Sequence, residues 1–308
     1  MVSRKDKLLL MKIVSLFSVV RGYNIPIIIL AQYLSAIFIL APENSAFEIL
    51  VDWRLYIIVL ASSLTIASGY IINNFYDSKK DLINRPRKSM LDRLVSQHTK
   101  LYVYFAINFI VFFMALLVSW RAALFFSIYI FLIWFYSHKI KKFTFVGNLM
   151  AAMMAVLPFF AILFYYKNFY QVIFAHATFL YLLLLIREMV KDLENLSGDF
   201  VSNYRTVPVV YGERKSKEII SVLALSSVIP VYLLIEVFEI GYMDIYFYCS
   251  VIVLLFLIIK LWNSTDKMDY IKLHNALKIL VVAGVFCIVL IDPAVLVHGR
   301  KMLLQLSI

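Results

Sequence analysis

The sequence has few helix breakers and little charge. Its 308 residues include 8 glycines and 7 prolines, and only 16% of its residues are charged. By contrast, 63% are hydrophobic and the mean hydropathy is +0.87, whereas a soluble domain is about 45–50% apolar. The composition therefore predicts a polytopic membrane protein. With no low-complexity linker to mark a boundary, residues 1–308 are predicted to form one all-α domain.

Cysteine and histidine are also scarce. The two cysteines, Cys249 and Cys287, lie inside apolar runs, where packing roles are expected, so the sequence supports neither a disulfide framework nor a thiolate metal site. The five histidines form no recognisable constellation. His176 falls within a predicted span, where a packed neutral imidazole is expected, and His138 adjoins a lysine cluster and is a candidate phosphate contact.

Acidic residues are outnumbered, with 19 Asp and Glu against 30 Lys and Arg, so the net charge is +11. In this hydrophobic context the excess indicates cationic loops at a membrane surface, and no nucleic-acid partner is expected. Apolar runs of about 20 residues can cross a bilayer. The sequence predicts nine such spans, at roughly 18–40, 54–74, 100–119, 121–137, 145–166, 170–189, 217–237, 243–262 and 274–297.

The cations alternate between the two sides of this nine-span arrangement. The N-terminal segment and the connections after even-numbered spans carry 24 of the 30 Lys and Arg residues. Cytoplasmic loops of membrane proteins are enriched in these residues. We therefore expect the N-terminus and these connections in the cytoplasm, the C-terminus outside, and a bundle in the cell membrane whose polar cavity opens to the cytoplasm.

Two polar clusters lie on the predicted cytoplasmic side. After the second span come Asn73, Asp77 and Asp81, spaced to share one helical face. After the sixth come Asp192, Asn195 and Asp199, again predicted to share a face, with Glu188 one turn earlier. Placing carboxylates near lipid costs free energy, so a binding partner is expected. Hard oxygen ligands that face each other suit Mg²⁺, which completes its coordination shell with water and phosphate oxygens. The six cluster residues, without Glu188, are candidate ligands of Mg²⁺ ions that clamp a diphosphate.

Cations follow both clusters and the fourth span. A diphosphate held by metal ions would also attract direct cationic ligands. The candidates for this role are Arg85, Lys88, Lys141, Lys142 and Arg205.

These motifs resemble the UbiA superfamily of intramembrane prenyltransferases. "NNFYDSKKD" followed by "INRP" is similar to its first signature, "YSHKIKKFTFVGN" to its middle one, and "REMVKDLENLSGD" with "YRTVPVVYGE" to its second acidic region. The "REMVKDLENLSGD" form, with "RGYN" in the first span, looks like the branch that contains digeranylgeranylglyceryl phosphate synthase. Asn74 and Asn195 depart from the family pattern, because each stands where Asp is usual or common.

The resemblance implies Mg²⁺-dependent transfer of a prenyl group from a prenyl diphosphate to a lipophilic acceptor, with geranylgeranyl diphosphate as the expected donor. Asp77 and Asp192 would be the catalytic residues. The branch implies the hydroxyl of geranylgeranylglyceryl phosphate as acceptor, with an aromatic quinone precursor as the alternative. The candidate acceptor-binding residues are Arg21, Asn24, Arg187 and Lys191.

The prenyl tail requires an apolar channel, and ordinary packing competes with this role for any aromatic residue. The candidate lining residues are Phe112, Phe113, Phe159, Phe160, Tyr165 and Tyr166. Two other classes remain open: a transporter, whose site would normally lie near the bilayer midplane, and a non-catalytic scaffold. A CDP-alcohol phosphotransferase would carry a "DGxxAR" opening, which is absent from this sequence.

Overall fold

The described part of the chain is almost entirely helical. The structure, a computed structural model, describes residues 4–295, and side chains from residue 10 onward. That part of the chain contains no β-strand, so the all-α prediction is confirmed. In chain order the α-helices are α1 Arg4–Val19, α2 Ile25–Ser35, α3 Ala46–Val51, α4 Trp53–Asp77, α5 Lys80–Asn84, α6 Pro86–Asp92, α7 Gln97–Val118, α8 Trp120–His138, α9 Val146–Tyr166, α10 Gln171–Glu194, α11 Leu196–Val201, α12 Val207–Ser226, α13 Val228–Tyr232, α14 Asp244–Trp262 and α15 Lys267–Cys287. Short 3-10 and π-helical turns extend or join several of them.

Nine helical stretches within residues 4–295 are long and apolar enough to cross a membrane, as predicted. They run over Gly22–Leu40, Trp53–Asp77, Gln97–Val118, Trp120–His138, Val146–Tyr166, Gln171–Glu194, Val207–Val237, Gly241–Trp262 and Lys267–Ile291. The seventh and ninth begin well before the residues that the sequence predicts, because helical hydrogen bonding continues into their polar ends. The predicted end of the ninth span at residue 297, like the C-terminus, lies outside the described residues.

Side-chain caps set the sharp turns between spans. Ser96 Oγ accepts a hydrogen bond from Thr99 N at the start of α7, and Ser119 Oγ accepts one from Ala122 N at the start of α8. The Ser119 cap allows α7 and α8 to turn back on each other with a single residue between them. Each cap satisfies a backbone donor that would otherwise lack a partner at a helix start.

The two helices that carry the polar clusters lie at the centre of the bundle. α4 packs against α7, α8 and α9, and α10 packs against α9, α12 and α15. Just over half of each hydrophobic stretch is buried inside the protein, 56% in both cases. The polar C-terminal ends of α4 and α10 therefore face one another at the same end of the molecule.

Short helices at that end connect the two clusters. α5 packs against α11, and a methyl group added to Gly198 would overlap the side chain of Asn84. The end of α1 is held to α6, because Ser15 Oγ donates to Leu91 O at 2.8 Å and Ser18 Oγ donates to Asp92 Oδ1 at 2.9 Å. These contacts place α1, α5, α6 and α11 around the mouth of a central cavity.

The packing tests the predictions made for the histidines and cysteines. His176 is buried beside the Phe247 ring, as expected for a packed imidazole. His138 instead stacks on Trp134 and lies outside the cavity lining. Cys249 and Cys287 are both free thiols, in agreement with the prediction that they form no disulfide.

Candidate active site

A cavity of about 470 Å³ opens between α2, α4, α8, α9, α10 and α15. Its mouth is polar and is formed by the C-terminal ends of α4 and α10 together with α5 and α6. Its depth is apolar and includes Ile133, Met154, Phe159, Leu180 and Leu184. A ligand with a charged head and a hydrocarbon tail would match this division.

The first polar cluster lines the mouth as predicted. Asn73, Asp77 and Asp81 all face the cavity, although α-helical hydrogen bonding stops at Asp77 and resumes at Lys80. The shared face survives the interruption because Ser78 and Lys79 keep right-handed helical backbone angles.

The second cluster divides between the cavity and the protein interior. Asp192 and Asn195 line the cavity, as does Glu188. The expectation of one continuous helical face is wrong for Asp199, because α10 ends at Glu194 and Asn195 adopts φ −101° and ψ 9°. This break turns α11, so Asp199 is fully buried outside the cavity lining and pairs with Lys80.

Lysine and arginine side chains hold most of these carboxylates. Lys141 Nζ contacts Asp77 Oδ1 at 2.6 Å and Asn73 Oδ1 at 3.1 Å. At the rim, Arg85 donates to Glu194 Oε1 at 2.8 Å, and His274 Nδ1 lies 2.7 Å from the other oxygen of Glu194. On α10, Glu188 contacts both Lys191, at 2.5 Å, and Arg187, at 3.2 Å.

Protonation at the mouth reflects both burial and these partners. Burial lowers the pKa of Lys141 in spite of its contact with Asp77. Burial would also lower the pKa of Lys80, but Asp199 and Asp77 outweigh it and raise that pKa. Burial, reinforced by Asp77, raises the pKa of Asp81. The mouth therefore disfavours isolated charge of either sign and favours paired charges.

The remaining predicted residues fall into two groups. Arg21, Asn24, Arg85, Lys88, Lys141, Arg187 and Lys191 line the cavity. Lys142 and Arg205 do not: both are exposed, Lys142 near the Tyr204 ring and Arg205 bound through its backbone N–H to Lys142 O. Only this placement is established, so each ligand role stays a prediction.

Among the predicted aromatic residues, only Phe159 lines the cavity. Phe112 and Phe113 are 40% and 49% exposed on the outside of α7. Tyr165 donates to Asp52 Oδ2 at the opposite end of the bundle, and Phe160 and Tyr166 pack against the core. An aromatic residue on a span cannot be assigned to a channel without knowing which side of the helix faces inward.

Four residues of the site were missing from the sequence-based candidates. Asn148 Nδ2 donates to Asp192 Oδ2 at 2.7 Å, and the Tyr204 hydroxyl donates to Asp77 Oδ1 at 2.7 Å. Both lie within motifs that the sequence had singled out. Lys80 lies between Asp77 and Asp81 in the first motif, whereas Lys278 is an isolated cation on α15 with no motif around it.

The oxygen donors at the mouth fit Mg²⁺. In residues 4–295 no three acidic, histidine or cysteine residues form a complete metal site, but Mg²⁺ needs only one or two carboxylates when substrate phosphates and water supply the other ligands. Asp81 lines the cavity, and its carboxylate has no hydrogen bond or ion pair to a described residue. The Asp192 carboxylate engages Asn148 through only one of its oxygens. Hard oxygen ligands are thus available on both sides of the mouth.

Within residues 4–295, nine apolar helical stretches and a cavity with opposed oxygen-rich clusters define a polytopic membrane protein with a polar site. The chain matches the UbiA prenyltransferase family over residues 29–282 and belongs to that family. It is 29% identical over 180 residues to a digeranylgeranylglyceryl phosphate synthase of Thermococcus gammatolerans, an alignment that covers 58% of this chain and 64% of that relative. The chain thus spans slightly less than two thirds of that protein's length.

Other relatives are matched over more of their length. A digeranylgeranylglyceryl phosphate synthase of Saccharolobus solfataricus is 27% identical over 238 residues, covering 75% of this chain and 82% of the relative. A structure from a study of digeranylgeranylglyceryl phosphate synthase in membranes superposes with a TM-score of 0.68 at 18% identity, over 91% of this chain and 98% of its own. A UbiA homologue from Archaeoglobus fulgidus, bound to GPP and Mg²⁺, gives a TM-score of 0.65 at 15% identity, with 89% and 99% coverage. These structures establish the fold.

Proposed function

We propose that the protein, as a single domain, transfers a prenyl group from a prenyl diphosphate to the hydroxyl of a prenylated glycerol phosphate, with Mg²⁺ as cofactor. The observation that carries this proposal is the pair of oxygen-rich clusters, Asn73–Asp81 and Asp192–Asn195, facing one cavity with an apolar depth. Family membership and the digeranylgeranylglyceryl phosphate synthases among its relatives support it. That this chain shares the activity and substrates of those relatives is part of the proposal.

The residues at the mouth would bind and neutralise the diphosphate. Asn73, Asp77 and Asp81 on one side and Asp192 and Asn195 on the other would hold Mg²⁺ against the phosphate oxygens. Mg²⁺ would supply electrostatic stabilisation of the leaving diphosphate as its bond to the allylic carbon ionises.

Side chains of the protein position these groups. Tyr204 and Asn148 each donate a hydrogen bond to a carboxylate, which orients Asp77 and Asp192. Lys141 already contacts Asp77 and can share its charge with a phosphate oxygen. The apolar depth excludes water, so that the allylic centre meets the acceptor hydroxyl before it is hydrolysed.

We also propose that the mouth faces the cytoplasm. The cationic segments that surround it, including α1, α5 and α6, are those that positively charged loops would keep on the cytoplasmic side. The chain is a multi-pass membrane protein, and the proposed location is the cell membrane.

A product assay tests the proposed reaction. The purified full-length protein is incubated with Mg²⁺, geranylgeranyl diphosphate and either geranylgeranylglyceryl phosphate or an aromatic acid acceptor, and products are identified by mass spectrometry. We expect diphosphate release and a twice-prenylated glycerol phosphate, abolished by EDTA and by Asp77→Ala or Asp192→Ala. Transfer to the aromatic acid alone would overturn the acceptor assignment, and no transfer to either acceptor would overturn the reaction.

A further inference from the structure

The cations that line the cavity divide into paired and unpaired sets. Five of the eight contact a carboxylate: Lys80, Arg85, Lys141, Arg187 and Lys191. The side chains of the other three form no ion pair or hydrogen bond with any described residue. These three, Arg21, Lys88 and Lys278, are called here the open cation set.

The open cation set lines the cavity from three places: Arg21 from the turn before α2, Lys88 from α6 and Lys278 from α15. Lys278 Nζ lies 5.1 Å from the ring centre of Tyr23, two residues after Arg21. Arg21 is also close enough to Lys88 to lower the pKa of that lysine, after burial as the main cause. The carboxylate available on α6, Asp92, is already bound by Ser18 Oγ at 2.9 Å and Asn74 Nδ2 at 3.0 Å.

Lys278 is the most informative member of the set because of its depth. It is the twelfth residue of the 25-residue span Lys267–Ile291, so it lies about 16 Å along the helix from the start of that span. An ionisable residue within a span is costly unless it has a partner, and its partner is commonly a substrate or ion. None of the described carboxylates fills that role.

The helix surfaces next to Lys278 are apolar. Val281, Val282 and Val285 follow it on the cavity side of α15, three, four and seven residues further on, and Ile27 and Ile28 of α2 line the same side. α2 and α15 pack against each other there. A ligand held by the open cation set would therefore extend an apolar tail between these two helices.

We infer that Lys278, with Arg21 and Lys88, binds the phosphate of an amphiphilic acceptor, and that the apolar surfaces of α2 and α15 hold its tail. This inference rests on the proposed function and deepens it, because it separates an acceptor phosphate site from the oxygen-rich donor site. A dianionic phosphate would offset the charge of these three cations, whereas a neutral acceptor would leave all three without a counter-charge.

Steady-state kinetics of Lys278→Met tests the inference. The full-length protein is assayed with Mg²⁺, geranylgeranyl diphosphate and either geranylgeranylglyceryl phosphate or the same lipid without its phosphate. We expect the KM for the phosphate acceptor to rise about tenfold to hundredfold, the KM for the donor to stay within about twofold, and the rate with the neutral lipid to match wild type. Lys278→Arg should recover most of the loss.

Lys272→Met is the matched control, because Lys272 lies on α15 but is exposed and pairs only with Asp269. It should behave as wild type. A rise in the donor KM in Lys278→Met, an equal loss with the neutral lipid, or the same defect in Lys272→Met would overturn the inference.

A binding measurement separates this inference from the proposed reaction. Labelled geranylgeranylglyceryl phosphate is bound to wild type and Lys278→Met at equilibrium without donor, with inorganic phosphate or the phosphate-free lipid as competitor. We expect only wild type to bind tightly and neither competitor to match the intact lipid. Tight binding without turnover would overturn the reaction but not the site, whereas turnover with equal binding by both proteins would overturn the site. If inorganic phosphate displaced the labelled lipid as well as the intact lipid does, the apolar surfaces of α2 and α15 would not contribute to binding.

Discussion

At the scale of single residues, Asn74 has a structural reason to be an amide. Its Oδ1 accepts from Lys100 Nζ at 2.8 Å, and its Nδ2 donates to Asp92 Oδ2 at 3.0 Å. Lys100 and Asp92 are 1% and 3% exposed, so water cannot replace these contacts. An amide accepts from the ammonium and donates to the carboxylate at once, whereas an ionised Asp at this position could only accept. Asn74 lies outside the cavity lining and connects α4 to α6 and α7.

Replacing Asn74 with Asp should therefore destabilise the protein. The new carboxylate would face Asp92 without a hydrogen between them, which should lower the free energy of unfolding by about 1–3 kcal/mol. The measurement is the midpoint of thermal unfolding, which should fall. Asn74→Asp combined with Asp92→Asn should recover stability, because the second change restores a donor between the two side chains. Asn44→Asp, in an exposed loop, is the control. A double variant no more stable than Asn74→Asp would contradict this account.

Asp199 provides a second test, because its buried carboxylate pairs with Lys80 and lies outside the cavity lining. Removing one partner of a buried ion pair typically costs about 3–5 kcal/mol, whereas removing both costs much less. We expect Asp199→Asn to lower the unfolding midpoint strongly and Asp199→Asn with Lys80→Met to recover much of it. Asp81→Asn, by comparison, should affect Mg²⁺-dependent turnover more than stability. Loss of turnover in Asp199→Asn with an unchanged midpoint would instead mark Asp199 as a metal ligand.

At the scale of helices, the proline in α9 is accommodated by its neighbours. Pro158 has no N–H, so Met154 O, four residues earlier, loses its helical donor. The Tyr129 hydroxyl from α8 donates to that oxygen at 2.9 Å, and Gln32 Nε2 from α2 donates to Pro158 O at 3.2 Å. Tyr129 thus satisfies the backbone group that the proline frees, as membrane proteins require, and the Gln32 contact ties the same turn of α9 to α2.

Tyr129→Phe should leave Met154 O without a donor and destabilise the protein by about 1–3 kcal/mol. In a Pro158→Ala background the same change should cost less, because the backbone of the substituted residue would supply the missing N–H. Thermal unfolding of the two single variants and the double variant measures this coupling. Tyr102→Phe, at a side chain that is 76% exposed, is the control. Equal losses in both backgrounds would show that Tyr129 acts through packing alone.

The same scale explains what the sequence predicts well. Hydropathy belongs to contiguous residues, so the nine spans and the position of both clusters at helix ends follow from it directly. Contacts between distant segments do not: Lys141 and Asp77 are 64 residues apart, and His274 and Glu194 are 80 apart. The turn at Asn195 that removes Asp199 from the cavity, and the inward position of Lys278, likewise depend on how helices pack.

At the scale of the whole molecule, the cavity has two chemically distinct sides. The ends of α4 and α10 offer carboxylate and amide oxygens, while the open cation set, in the turn before α2 and on α6 and α15, makes no ion pair with a described residue. In the proposed function, a metal-bound diphosphate and a phosphate-bearing acceptor would thus be kept apart at their charged ends. Both charged ends must then enter from the same side of the membrane, because both sides of the cavity share one mouth.

That side is testable with single cysteines in a variant lacking Cys249 and Cys287. Met90 on α6 is exposed beside the mouth, and Asn44 lies in the exposed loop before α3, at the opposite end of α4. If cationic segments face the cytoplasm, Asn44→Cys should react with a membrane-impermeant thiol reagent in intact cells. Met90→Cys should react only after permeabilisation. The reverse pattern would place the mouth outside, where the donor would have to be supplied across the membrane, and would contradict the proposed orientation while leaving the chemistry of the cavity unchanged.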